Sequence, residues 1–219
     1  YQKGGKINGK SRETSMEYVN KFQELIDRFD SVTCAASDCM GRANSMSPEI
    51  RPESKEVRMA GCALTARTVG GHISAVIYAI ENAQKGDIIV VDSHGYKNSA
   101  YWGENLCLSA INKGVSAAIM EGACRDIEEI RKLGFPIYSI GTCCNVGQIS
   151  GYGAIKTPIS CGGIQVNTYD VVLIDGNGIV VIPYDDLETV YQKTKQMMET
   201  ETNVSDKLKA GETIGHLID

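Results

Sequence analysis

Arg125 and Asp126 stand together between a short apolar run, residues 117–120, and a predicted helix that begins at Ile127. A second carboxylate, Glu104, lies upstream at the end of an aromatic segment. An arginine grips carboxylate or enolate oxygens through its planar guanidinium, and an aspartate can bind Mg²⁺, which prefers few carboxylates and several waters. Together these residues predict a site for a divalent metal and a small anionic substrate.

The same residues also have purely structural interpretations. Gly103 allows the backbone to approach a ligand closely, and the helix that follows it points unpaired N–H groups outward. In the structural interpretation, Gly103 only makes a tight turn and Asn105 only caps the helix. Asp126 and Glu129 have the spacing of a capping box. The residues alone leave both interpretations open.

Length, composition and charge narrow the class of protein. The chain has 219 residues, of which 42% are hydrophobic and 22% charged, and this is typical of one globular domain. We expect residues 1–14 to form a flexible tail and residues 15–219 a single domain. A net charge of -5 argues against binding to nucleic acid or to a membrane surface. Without an apolar run of membrane-spanning length or a signal pattern, we expect a cytoplasmic protein.

Cysteine and histidine add two weaker hypotheses. None of the eight cysteines has C-x-x-C spacing, which favours reduced thiols over a zinc site or a disulfide framework. The adjacent pair Cys143-Cys144 could be redox-active, although an inert pair is the simpler interpretation. His94 follows a predicted strand and could face the same cleft as Arg125.

The apolar pattern predicts an α/β fold. Residues 88–91 form a continuous apolar run, which is typical of a strand buried on both faces. The sequence Asp175-Gly176-Asn177-Gly178 between two apolar runs is a strong hairpin signal. Predicted helices cover residues 16–29, 73–80, 105–113, 127–133 and 185–208, and predicted strands cover 57–69, 88–91, 115–120, 137–140, 171–174 and 179–182.

Several short motifs carry a resemblance to a known family. They are GDIIVVD at residues 86–92, GENL at 103–106, GACRD at 122–126, GG at 162–163 and DGNG at 175–178. In their order and spacing, residues 32–214 resemble the RraA-like proteins. That family includes the 4-hydroxy-4-methyl-2-oxoglutarate and 4-carboxy-4-hydroxy-2-oxoadipate aldolases, and some members carry an older label as demethylmenaquinone methyltransferases.

The resemblance implies a fold and a role for each site residue. The fold would be a three-layer α/β sandwich of the swivelling β/β/α type, with a mixed sheet and a long C-terminal helix, assembled as a homotrimer or homohexamer. Gly103, Glu104, Asn105 and Leu106 would bind the substrate carboxylate. Arg125 would contact the keto or enolate oxygen, and Asp126 would ligate Mg²⁺ or Mn²⁺ directly.

Two further carboxylates would act on the metal through water. Glu104 would do so within the chain, and Glu201 would reach the site from the C-terminal helix of a neighbouring subunit, with Glu199 as the second candidate. Arg125 and Asp126 are thus the expected catalytic residues of a metal-dependent (class II) pyruvate aldolase. The substrate would be a small 2-oxo acid, cleaved at a C–C bond through a pyruvate enolate, with oxaloacetate decarboxylation as a side activity.

The chain also departs from the commoner family pattern. Ser93-His94-Gly95 replaces a glycine-rich stretch after the aspartate, and Asn105 replaces a frequent leucine. Both positions border the expected pocket, so a lyase for another 2-oxo acid or sugar acid is an alternative. A second alternative is a non-catalytic regulator that binds RNase E. Such members can lack the aspartate after the arginine, so the presence of Asp126 favours the enzyme.

Overall fold

The computed structural model describes residues 9–217. The helices are α1 (Arg12–Arg28), α2 (Val32–Cys39), α3 (Ser74–Asn82), α4 (Glu104–Lys113), α5 (Ile127–Leu133) and α6 (Leu187–Lys209), with short 3₁₀ helices at Tyr184–Asp186 and Ile214–Leu217. The strands are β1 (Arg51–Pro52), β2 (Met59–Arg67), β3 (Asp87–Asp92), β4 (Ala100–Trp102), β5 (Ala117–Met120), β6 (Ala123–Cys124), β7 (Ile137–Ser139), β8 (Ala154–Ile155), β9 (Ile159–Cys161), β10 (Ile164–Val166), β11 (Val171–Asp175) and β12 (Gly178–Ile182).

One mixed sheet of eight strands organises the molecule. Its order is β1-β7-β5-β3-β2-β11-β12, and β8 pairs with β2 outside this path. The central strands β2, β3, β5 and β7 run parallel, whereas β1, β8, β11 and β12 are antiparallel to their neighbours. The parallel strands alternate with α3, α4 and α5, as expected for an α/β fold. The predicted fold class, including the long C-terminal helix, is confirmed.

The central strands are buried on both faces. In β3, Ile89 and Val91 pack in the cluster that contains α3 and α4, while Ile88 and Val90 face the inside of the sheet. This alternation follows from the two-residue period of a strand. Because both faces are covered, a continuous apolar run is the sequence that such a strand needs, and the prediction for residues 88–91 is confirmed.

Three layers result from this packing. The helices α1, α2 and α6 cover one part of the outer face of the sheet, around β11 and β12, and α3 to α5 cover the rest. On the inner face, the β9–β10 hairpin contributes Ile159, Cys161 and Val166 to a third apolar cluster. Helices, sheet and inner hairpin therefore form the β/β/α arrangement that the family resemblance implies.

One segment, residues 44–52, pairs with both ends of the sheet. The amide of Met46 donates to the carbonyl of Ile179 on β12, and the amide of Val181 donates to the carbonyl of Asn44. A few residues later, β1 pairs with β7 at the opposite end of the strand order. The sheet is therefore curled, and a cleft of about 490 Å³ lies at this seam. None of the predicted site residues lines that cleft.

The hairpin β11–β12 has the predicted turn. Asp175 is opposite Gly178, so the connecting loop is Gly176-Asn177. The buried carboxylate of Asp175 accepts hydrogen bonds from the amides of Thr33 and Asn177, which ties the turn to α2.

Helix α1 begins inside the segment that the sequence predicts as a tail, residues 1–14. Residues 1–8 of the predicted tail lie outside the described residues, and α1 already begins at Arg12, before the predicted end of the tail at residue 14. Ser11 caps this helix by accepting a hydrogen bond from the amide of Thr14.

Among residues 9–217, no helix has both the length and the apolar character that are needed to cross a bilayer.

A partly buried ion pair fastens α1 to the sheet. The guanidinium of Arg12 lies 2.8–2.9 Å from Oδ1 of Asp87 and also donates to the carbonyl of Lys85. The carboxyl of Asp87 is 4% exposed at the start of β3. Burial raises its pKa above the usual value, although Arg12 and the amide of Gln84 partly offset this effect.

We predict that Arg12→Met lowers the free energy of unfolding by about 3 kcal/mol near neutral pH, because it leaves a buried carboxylate without its partner. A raised folded-state pKa means that the stability linked to Asp87 is present at low pH and is lost as the pH rises through that pKa. The deficit of the variant should therefore shrink as the pH falls from neutral to an acidic value at which Asp87 is protonated. Urea unfolding at the two pH values measures it.

Lys209→Met is the matched control, because it breaks an exposed pair with Asp206 and should cost less than about 0.5 kcal/mol. An Arg12→Met deficit that is the same at both pH values would show that the ion pair is not its cause.

Candidate active site

Two short strands beside the main sheet bring the predicted site residues together. Strands β4 and β6 run parallel, with Trp102 opposite Cys124. Each ends directly before a loop residue that opens a helix: Gly103 before α4, and Arg125-Asp126 before α5. The amide of Arg125 donates to the carbonyl of Trp102 at 2.9 Å, so the two loops are in register.

The carboxylate of Asp126 lies against the start of α4. Its Oδ2 accepts a hydrogen bond from the amide of Glu104 at 3.0 Å. A Cβ atom at Gly103 would stand 2.5 Å from this oxygen, so any larger residue would displace the carboxylate. The backbone of Gly103 is extended, and close approach rather than an unusual dihedral angle is the reason for the residue. This is the close backbone approach that the sequence suggested, although the group that approaches is a side chain of the protein.

Asp126 and Glu129 have the spacing of a capping box but do not form one. Asp126 occupies the N-cap position of α5, but its side chain makes no capping hydrogen bond there. Its backbone is left-handed, with φ 58° and ψ 44°, a conformation that aspartate tolerates better than most residues. This turn directs the carboxylate to the neighbouring helix α4 instead of its own helix.

Arg125 completes the polar part of the site. Its Nε lies 3.5 Å from Oδ2 of Asp126, and the side chains of the two residues are 36% and 34% exposed. Within the described residues, the guanidinium has no other hydrogen-bond or ion-pair partner, so most of its donors are available to a ligand. The first-turn amides of Asn105 and Leu106 have no acceptor within α4, and both residues line the same pocket as Arg125. An arginine and free helix amides form a site for an anion.

A pocket of about 210 Å³ adjoins these groups. The predicted residues Gly103, Asn105, Leu106, Arg125 and Asp126 line it, and Glu104 contacts Asp126 through its amide. The rest of the wall is mainly apolar and comes from β4, from the start of α3 with the residue before it, and from the loop after β7: Ile73, Ile77, Ala100, Tyr101, Trp102, Val146 and Ile149.

The donor set restricts which metal the site suits. Within residues 9–217, no group of three His, Cys, Asp or Glu side chains is arranged to hold a metal ion. Oδ1 of Asp126 accepts no hydrogen bond from the described residues. Glu104, whose amide donates to Asp126, is half-buried, and its carboxylate has no ion-pair partner among the same residues. One or two carboxylates match Mg²⁺ or Mn²⁺, which complete their coordination with water and substrate, better than a structural zinc ion.

Other candidate residues lie elsewhere. His94 is exposed, with Nδ1 3.4 Å from the carboxylate of Asp92, and it does not line this pocket. Glu201 and Glu199 are exposed on α6, Glu199 is 3.9 Å from Arg28, and neither lines the pocket of its own chain. Whether a neighbouring subunit supplies Glu201 stays a prediction.

The cysteines near the site are not activated. Cys124 and Cys107 lie buried behind the pocket, and Trp102 donates from Nε1 to the sulfur of Cys107. Burial raises the pKa of the Cys107 thiol to about 12 and that of Cys124 to about 11, so both stay protonated. Cys143 and Cys144 are unpaired in the structure, in the loop that follows β7.

The apolar wall had no counterpart in the sequence-based prediction. The apolar spacing predicted a helix over residues 73–80, and α3 is that helix, but Ile73 and Ile77 at its start also reach the pocket. Val146 and Ile149 lie in a loop without periodicity. Only the exposure of large apolar side chains in a folded structure identifies them, at 54% for Val146 and 76% for Ile149.

Comparison with known proteins identifies the family. The family model described as RraA-like (Aldolase/RraA) matches residues 33–181. A protein of Halalkalibacterium halodurans with the provisional name 4-hydroxy-4-methyl-2-oxoglutarate aldolase is 31% identical over 184 residues, which cover 84% of this chain and 85% of that protein.

Two solved structures are similar. The structure of an uncharacterised protein of Pseudomonas syringae pv. tomato has a TM-score of 0.76 at 21% identity. The match covers 92% of this chain and 96% of that protein, and it shows similarity of the fold alone. The RNA-processing inhibitor RraA of Thermus thermophilus has a TM-score of 0.62 at 25% identity, over 67% of this chain and 89% of that one.

We predict that Gly103→Ala displaces the carboxylate of Asp126 and lowers the free energy of unfolding by about 1–3 kcal/mol, because the new methyl group overlaps Oδ2. Gly176→Ala is the control, since a Cβ there meets no atom within 4 Å and its φ is not positive. Urea unfolding and a crystal structure of the Gly103→Ala variant test this. An undisturbed Asp126–Glu104 hydrogen bond would contradict it.

Proposed function

The chain belongs to the RraA-like family, whose model matches about two thirds of it, and we propose that it is a divalent-metal-dependent lyase. It would cleave a C–C bond of a 2-oxo acid through a pyruvate enolate, in the manner of a 4-hydroxy-4-methyl-2-oxoglutarate aldolase. One observation carries this proposal: Arg125 and Asp126 meet the first turn of α4 at the mouth of one pocket.

Substrate binding follows from the groups at the start of α4. The free amides of Asn105 and Leu106 would hold the carboxylate of the 2-oxo acid, with the partial positive charge of the helix N-terminus behind them. Arg125 would donate to the 2-oxo oxygen. The carboxylate and the 2-oxo oxygen of the pyruvyl unit would then be fixed, while C3 and the C3–C4 bond would stay free to react.

The metal would be held mainly by Asp126. Glu104 would assist through water, and Glu201 of a neighbouring subunit would do the same in a homotrimer or homohexamer. When bound, Mg²⁺ or Mn²⁺ supplies Lewis-acid charge beside the oxygen on which the enolate charge develops. The hydrogen bond from Glu104 keeps Asp126 oriented, and the half-buried position of the pair limits screening by water.

Arg125 contributes positive charge at the 2-oxo oxygen. Its guanidinium cannot form an imine, and it would stabilise the enolate oxygen electrostatically. None of the described residues that line the pocket is a lysine, so the arrangement supports an enolate rather than a Schiff-base aldolase. Oxaloacetate would lose CO₂ at the same site, because that reaction passes through the same pyruvate enolate.

A regulator that binds RNase E is the second candidate function. It is supported by the similar structure named as an RNA-processing inhibitor from Thermus thermophilus. That function needs a docking surface but no catalytic carboxylate, and the placement of Asp126 against α4 favours the lyase. A purified chain that turns over no 2-oxo acid but binds RNase E tightly would favour the regulator.

We predict that the protein releases pyruvate from oxaloacetate and from 4-hydroxy-4-methyl-2-oxoglutarate with Mg²⁺ or Mn²⁺, and that EDTA abolishes the activity. Asp126→Asn should lower kcat/KM at least about a hundredfold, because an amide keeps the shape and the acceptor for Glu104 but loses the charge that binds the metal. A coupled lactate dehydrogenase assay measures pyruvate.

Glu128→Gln is the matched control, because this neighbouring carboxylate is exposed on α5 and outside the pocket; its activity should stay within about twofold of the parent protein. Equal turnover with metal and with EDTA would reject the metal-dependent mechanism.

A further inference from the structure

We propose that the preferred substrate carries an apolar group on the carbon that leaves as the carbonyl product, and that substrates with a carboxylate there, such as 4-hydroxy-4-methyl-2-oxoglutarate, are turned over more slowly. This inference rests on the proposed lyase function and names its substrate class. For a 4-hydroxy-2-oxo acid the carbon is C4. The claim concerns the wall of the pocket that Arg125 and Asp126 do not occupy.

That wall is made of aliphatic side chains from three elements. Ile73, which precedes α3, and Ile77 within it form one side, Leu106 of α4 forms another, and Val146 and Ile149 of the loop after β7 form the rim. Ile73 and Leu106 are largely covered, whereas Val146 and Ile149 expose 54% and 76% of their surface. Exposed aliphatic groups around a pocket mouth are costly in water, and a ligand that covers them reverses that cost.

The rim is held in place by hydrogen bonds on both sides. Toward β4, the amide of Ala100 donates to the carbonyl of Asn145 at 2.7 Å, and the amide of Gly147 donates to the carbonyl of Ala100. Toward α3, the amide of Gln148 donates to the carbonyl of Gly71, and the amide of Ile73 donates to the carbonyl of Gln148.

The packing at Gly147 is equally tight. A Cβ atom there would stand 2.6 Å from the side chain of Ile73, so the loop lies directly against that residue. Val146 and Ile149, on either side of this fastened stretch, are therefore positioned parts of the pocket and not a loose surface loop.

The charges of the pocket point the same way. Among the described residues that line it, Arg125 is the one cation, and the 2-oxo oxygen requires it. The nearby His72 is engaged with the hydroxyl of Ser150 and with the ring of Tyr152, and it does not line the pocket. A second carboxylate on C4 would lose hydration against the aliphatic wall without a compensating partner, whereas an alkyl group would gain from burial there.

The reaction places this group on the departing fragment. The C3–C4 bond breaks, its electron pair moves to C3 to give the enolate of pyruvate, and the C4 hydroxyl loses its proton to become the carbonyl of the product. The enolate then takes up a proton at C3, so no oxidant or reductant is needed. The substituent on C4 leaves with the aldehyde, over the aliphatic wall.

A matched pair of substrates tests the proposal. 4-Hydroxy-5-methyl-2-oxohexanoate carries an isopropyl group on C4, and 4-hydroxy-2-oxoglutarate carries a carboxylate of similar shape at the same place. Both release pyruvate, so one assay with Mg²⁺ reports on both. We predict a kcat/KM at least about tenfold higher for the isopropyl compound.

A charge placed on the rim should reverse this preference. Ile149→Arg puts a cation on an exposed position at the pocket mouth and should shift the ratio of the two kcat/KM values at least about tenfold toward the carboxylate substrate. Ile111→Arg is the matched control, because Ile111 is 42% exposed on α4 and does not line the pocket; its ratio should equal that of the parent chain. Thermal unfolding of both variants checks that they are folded.

Exchange of the C3 hydrogens of pyruvate in D₂O, followed by NMR, separates this inference from the lyase function. Pyruvate has no C4 substituent, so exchange reports only on enolate formation. Exchange together with a preference for isopropyl supports the inference. Exchange together with a preference for the carboxylate overturns the inference and leaves the lyase intact; a cation from a second copy of the chain at the rim would give this result. Absence of exchange overturns the lyase function and the inference with it.

Discussion

The site depends on one hydrogen bond, from the amide of Glu104 to the carboxylate of Asp126. It joins the first residue of one helix to the residue before another, and it determines which way the carboxylate points. Three features make it possible: the lack of a side chain at Gly103, the left-handed backbone of Asp126, and the parallel pairing of β4 with β6. Without any one of them, Asp126 could turn back and cap α5, and the polar half of the pocket would lose its negative charge.

The large-scale architecture follows from the sequence because its signals are local and repeated. The apolar run at residues 88–91 places apolar side chains on both faces of a strand, so both faces must be buried. It forms most of β3, at the centre of the sheet. Helix α5 has the predicted bounds, and the turn at Gly176-Asn177 joins β11 to β12 as its residue types require. In each case a pattern of period 2 or 3.6, or a turn signal, lies within a few residues of the structure that it specifies.

The fine structure of the site is less readable from the sequence. Strands β4 and β6 have three and two residues, too few to show a period. They form because they pair with each other, at positions that are 22 and 23 residues apart in the sequence. The spacing of Asp126 and Glu129 is that of a capping box, but a more distant helix start takes the carboxylate. Likewise, nothing local distinguishes Val146 from any residue of a surface loop; its position follows from the pairing of its neighbours with Ala100.

The segment 44–52 has a consequence beyond the pocket. A sheet with free outer strands presents unpaired amides and carbonyls that recruit strands from other molecules, and natural proteins protect such edges. Here one short stretch hydrogen-bonds to β12 at one end of the strand order and to β7 at the other. The same nine residues thus protect both edges of the sheet. A change that frees them would expose two edges to cross-β aggregation without altering the lining of the pocket beside Arg125 and Asp126.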